Sequence, residues 1–98
     1  MNSNDKKLIE MMESKYDDFK PKLDRLKEDL VDFQNSYSDY VELKNFYGSD
    51  DWFRLSKNPF EGIKCGVLSE DQLFDFIGDH NELLANFLDL SSRMYKNM

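Results

Sequence analysis

From Ile9 to Tyr40 the apolar residues follow one another at steps of three and four without a miss: Ile9, Met12, Tyr16, Phe19, Leu23, Leu26, Leu30, Phe33, Tyr37 and Tyr40. Side chains so spaced lie on one stripe of a helix. The pattern predicts a single long helix over residues 5–46, roughly 60 Å at 1.5 Å per residue. Pro21 falls inside it, removing one amide bond and crowding the carbonyl of Asp17. The repeat keeps its phase across the proline, and a chain reversing there would have no reason to do so. A helix kinked near residue 21 is therefore favoured over a helical hairpin turning at that point.

Phe46-Tyr47-Gly48-Ser49 ends the long helix, with Gly48 suited to the left-handed conformation of a C-terminal cap. Ser49 then opens a short helix over 49–56, with Asp50 and Asp51 in its first turn to suit the helix dipole. Asn58-Pro59 stops it. The connector over 57–68 is apolar, and with Trp52, Phe53 and Leu55 before it is expected to plug the end of a helical bundle. A final helix over 69–96 has the clearest start in the chain. Ser69 is the cap, Gln72 completes a capping box, and Leu68 with Leu73 forms a hydrophobic staple. Its broad apolar face, Leu73, Phe76, Ile77, Leu83, Leu84, Phe87, Leu88, Leu90 and Met94, is wider than a two-helix seam needs. The expected fold is all-α, a single domain over 1–98. In it the kinked N-terminal helix packs antiparallel on the C-terminal helix through a short connecting helix, as a helical hairpin or a three-helix bundle.

Charge narrows the choice of function. The net charge is −7, carried as −1 over residues 1–20, −2 over 21–47, 0 over 48–68 and −4 over 69–98. No basic cluster is dense enough to hold a phosphate backbone, and anionic membranes would repel the chain, so neither nucleic acid nor membrane is expected as a partner. A partner recruited by charge would be basic. The single cysteine, Cys65, suits a reducing compartment. No apolar run nears the roughly 20 residues of a membrane span. Met1 to Lys7 is not followed by the apolar stretch of a secretory signal. The expected location is the cytoplasm.

Three stretches carry a resemblance: Phe46-Tyr47-Gly48-Ser49-Asp50-Asp51-Trp52, Gly66-Val67-Leu68-Ser69-Glu70-Asp71 and Asn81-Glu82-Leu83-Leu84. Together they resemble the signature of a bacterial domain-of-unknown-function family, the one numbered four-two-nine-eight, whose members are short, helical and acidic. The resemblance spans nearly the whole chain and implies an all-helical fold. It brings no activity, cofactor or catalytic residue.

Candidate chemistry is sparse. His80, the single histidine, falls on the apolar face of the last helix and reads as a core or boundary imidazole, since acid–base work would need a second group to orient the ring. Glu-x-x-His pairs on two helices, the requirement for a di-metal bundle, are lacking. Cys65 has no histidine or second cysteine near it in sequence to make it a nucleophile. No phosphate loop, nucleophile elbow or Cys-x-x-Cys occurs. The chain is therefore expected not to be an enzyme and to need no metal or cofactor. Asp71, Asp75, Asp79 and Glu82 line one side of the last helix, either as a solvated face or as a surface for a basic partner. Calcium is disfavoured there, because a straight helix does not supply six to eight oxygens. Tyr16, Tyr37 and Tyr40 stand where coiled coils usually place leucine or isoleucine, and serve as wet-edged packing or as an adaptable groove for another protein.

The last helix covers only about 42 Å. Laid against the first, it would leave Ile9, Met12, Tyr16 and Phe19 uncovered, an apolar stripe that a soluble monomer should not expose. The expectation is that a second molecule covers it, as a homodimer through the N-terminal helix or as a captured foreign helix. The expected function is a non-catalytic protein–protein interaction module, an adaptor or a neutralising partner of the immunity or inhibitor type. The alternative is an acidic mimic of nucleic acid that inhibits a DNA- or RNA-processing enzyme.

Overall fold

The computed structural model describes residues 2–57 and 61–98. They form an all-α protein of four helices: α1, Ser3–Asn35; α2, Tyr37–Phe46; α3, Asp50–Ser56; and α4, Glu70–Lys96. A 3-10 turn, Gly66–Leu68, precedes α4. The described residues contain no strand. The chain divides into two compact units, one ending at Ser38 and the other beginning at Asp39.

The first unit is built on α1. Asn2 caps it, its Oδ1 accepting from the Asp5 amide at 2.8 Å, and Asp5 puts a negative charge in the first turn. The helix continues past Pro21 without ending there, so the chain does not reverse at the proline. The helical run expected over 5–46 is instead divided in two at Ser36, whose φ of −104° and ψ of 5° leave the helical region. Its amide is shared between the carbonyls of Asp32 and Phe33, at 3.2 and 3.3 Å. Asn35 and Ser36 supply the cause: short polar side chains compete for backbone groups and weaken a helix interior. Beside the break, Phe33 meets Tyr37 edge-on with ring centroids 5.6 Å apart. No residue of α1 is buried. Its apolar stripe is exposed along the whole helix, its later members Leu23, Leu26, Leu30 and Phe33 included.

The second unit has the core. Trp52 on α3 and Leu73 on α4 are its buried apolar residues, 6% and 2% exposed. Helix α2 runs antiparallel to the first half of α4: Tyr40 lies beside Phe76 and His80, while seven residues later the Tyr47 hydroxyl reaches the carbonyl of Glu70 at 3.4 Å. Gly48 ends α2 with a φ of 77°, the left-handed conformation expected of it. Ser49 caps α3 as expected, its Oγ accepting from the Trp52 amide at 3.2 Å.

The connector is less uniform than its composition suggests. The Asn58-Pro59 stop and Phe60 lie outside the described residues. Ile63 is exposed and so is Phe53, so neither plugs the unit. The closing contact is polar: the Trp52 indole Nε1 donates to the Val67 carbonyl at 2.9 Å. Ser56 Oγ lies 2.6 Å from the Trp52 carbonyl and 3.2 Å from that of Leu68. These bonds tie α3 to the 3-10 turn.

The start of α4 is half of the expected capping box. Ser69 Oγ accepts from the Gln72 amide at 3.2 Å. The reciprocal bond does not form, because the Ser69 amide donates to the Gly66 carbonyl at 3.0 Å instead. The Gln72 side chain lies over Gly66, in space that a Cβ there would fill.

Candidate functional site

Two surfaces were singled out by the sequence, one in each unit. Ile9, Met12, Tyr16 and Phe19 all lie on α1, and the helical period brings them onto one stripe. They are 47%, 49%, 60% and 64% exposed, a high value for side chains of this size and apolarity. Between neighbouring turns the flanks carry paired charges: Lys6 with Glu10 at 3.9 Å and Lys20 with Asp24 at 2.6 Å. The hydrogen bond and charge of Asp24 hold the Lys20 pKa above the ordinary lysine value.

Asp71, Asp75, Asp79 and Glu82 are all exposed on α4. Among the described residues none of the four makes an ion pair, so the helix presents their charge to solvent. Asp71 also stands at the rim of an open cavity of about 490 Å³, whose other walls include Tyr47, Trp52, Phe53 and Phe74. Phe74, 66% exposed, is the residue that sequence reasoning passed over. It stands next to Leu73 in the chain, and since neighbours on a helix point about 100° apart, Leu73 turns inward while Phe74 turns to solvent. The pairing of two large apolar residues in a first helical turn was the available signal.

His80 is half-buried. Its ring stacks on that of Tyr40, with centroids 3.8 Å apart and planes 8° apart, and its Nδ1 lies 3.1 Å from Asn81 Oδ1. Tyr40 therefore spends its ring on α4. Cys65 is a free, half-buried thiol. Among the described residues, no three His, Cys, Asp or Glu side chains gather in a group that could hold a metal ion, and no helix is long and apolar enough to cross a membrane.

No curated protein matches the chain. The model of a family described as a domain of unknown function, DUF4298, matches residues 9–90. That span contains the whole α1 stripe from Ile9 on, the Gly48 turn with the α3 cap, the Ser69 start of α4 and the four acids that follow. The resemblance carried by those motifs is thus a membership, and the chain belongs to the DUF4298 family.

Proposed function

We propose that this protein is a non-catalytic protein–protein interaction module of the cytoplasm, an adaptor or a neutralising partner of the immunity or inhibitor type. One observation carries the reading: a 33-residue helix without a single buried residue displays a continuous apolar stripe. Exposed apolar surface costs roughly 25 cal/mol per Å² relative to burial. Contiguous patches of this kind mark sites where another molecule binds. The exposed acids of α4 add a surface suited to a basic partner. The stacking of the half-buried His80 ring on Tyr40 gives the single histidine a packing role, which supports a non-catalytic reading.

Retention from extracts of the native cell tests the reading, using the tagged wild-type chain beside Phe19→Asp and Asp75→Lys/Asp79→Lys. The wild type is expected to retain a protein, a further copy of itself included, that at least one variant loses. A wild-type chain that retains nothing the variants lose contradicts it.

The four unpaired acids also favour a second reading, in which α4 imitates the charge of a nucleic acid and inhibits a DNA- or RNA-processing enzyme. Competition with duplex DNA for the retained protein decides between the two: the mimic is displaced by DNA, and the module bound through α1 is not.

A further inference from the structure

The stripe on α1 is a strict heptad, since steps of three and four alternate without exception from Ile9 to Phe33. Such a 3.5-residue period is the signature of a left-handed two-helix seam. The residues flanking the seam are then fixed by position. One flank carries Lys6, Glu13, Lys20 and Lys27; the other carries Lys15, Lys22 and Asp29. Most acids of α1 stand further out, and Pro21 occupies the outermost position, away from the seam.

We propose that the partner of this stripe is α1 of a second copy of the chain, laid antiparallel with the two-fold axis at Pro21. The inference rests on the interaction reading above and specifies its partner. Two independent features select this arrangement.

The first is shape. Centred on Pro21, every layer sets a residue from the first half of the stripe against one from the second. Phe19 faces Leu23 of the second copy, and Tyr16 faces Leu26. Further out, Met12 faces Leu30 and Ile9 faces Phe33. Aromatic rings meet aliphatic side chains in each central layer, and the volumes interdigitate. A parallel pair in register would stack Tyr16 on Tyr16 and Phe19 on Phe19, with the leucines left to each other.

The second is charge. Flanking residues in an antiparallel seam meet their own kind of position on the partner. Glu13 then faces Lys27 of the second copy and Lys15 faces Asp29, each twice by symmetry. Among the described residues none of these four makes an ion pair within its own chain. The like-charged meetings, Lys20 with Lys20 and Lys22 with Lys22, fall only at the axis, where Asp24 already pairs Lys20. The parallel pair would set Lys15 against Lys20 and Lys22 against Lys27, twice each, with no attraction to offset them.

Two measurements test the arrangement. The first is a pulsed electron-spin distance between labels at Asn4→Cys in a Cys65→Ser background, with folding checked by circular dichroism. Antiparallel helices place the labels about 50 Å apart, given 17 residues from the axis to each label at 1.5 Å rise. A distance below about 25 Å, or none between chains, overturns the inference. The second uses two charge variants, Glu13→Lys/Asp29→Lys and Lys15→Glu/Lys27→Glu. Each alone should self-associate at least about tenfold more weakly than the wild type, and an equimolar mixture should recover wild-type affinity. A mixture no tighter than its parts overturns it. If the chain proves monomeric while the wild type still retains another protein from extract, the second-copy inference fails and the interaction module stands. If nothing is retained either, both fail.

Discussion

The Tyr40 ring lies flat on the imidazole of His80, 3.8 Å between centroids and 8° between planes, and so joins α2 to α4 at the middle of the second unit. Both rings are half-buried, and the stack is flanked by Phe76, 5.4 Å from Tyr40. A double-mutant cycle with Tyr40→Leu and His80→Leu should give a coupling of about 0.5 to 1.5 kcal/mol, the range for aromatic pairs beyond their area. Urea unfolding followed by the fluorescence of Trp52, the single tryptophan, reads it out. Additive effects of the two substitutions would show that the rings are merely adjacent.

Trp52 and Leu73 are the buried apolar pair on which the second unit rests. Leu73→Ala should destabilise it by about 2 to 5 kcal/mol, the usual cost of a buried leucine with its cavity. Trp52→Phe removes ring area and the bond to the Val67 carbonyl, and should cost at least about 1 kcal/mol. Thermal unfolding by circular dichroism measures both. A loss under about 0.5 kcal/mol for Leu73→Ala would place the core elsewhere.

The two residues of the expected capping box should separate. Ser69→Ala removes a cap bond that the structure contains and should cost about 1 kcal/mol. Gln72→Ala removes no reciprocal bond, since the Ser69 amide is already held by Gly66, and should cost less than about 0.5 kcal/mol. Equal losses at the two positions would mean that the full box forms in solution.

Features governed by local backbone chemistry were legible before any coordinates. Gly48 needs the left-handed region that glycine favours, and Ser49 and Ser69 need only an amide three residues on, so each could be placed from neighbours in the chain. The α1 stripe was legible for the same reason, as its period is a property of one helix. What escaped depended on competition or on distant residues. The break at Ser36 arises where two weak helix formers meet inside an unbroken apolar repeat, and the repeat masks them. Tyr40 continues the stripe in sequence, yet its ring is taken by His80, forty residues away. The capping box was half right because Gly66, without a side chain, lets both the Ser69 amide and the Gln72 side chain turn toward it.

Lys20 offers a check on the flank of α1. Its pKa is raised above 10.5 by the hydrogen bond and charge of Asp24. A raised lysine pKa means that the pairing is fully present below the ordinary value and is lost as pH climbs through the raised one. Asp24→Asn should therefore return Lys20 to the ordinary lysine range, measured by side-chain NMR titration. An unchanged Lys20 midpoint would show that the ion pair is absent in solution.

Sedimentation equilibrium of the wild-type chain beside Phe19→Asp addresses the stripe most directly, because Phe19 is its most exposed member among the four first residues, at 64%. The account predicts a wild type with the mass of two chains, and a Phe19→Asp variant, equally helical by circular dichroism, with the mass of one. A wild type that sediments as a single chain at every concentration, with Phe19→Asp indistinguishable from it, would contradict the claim that α1 lies against a second copy.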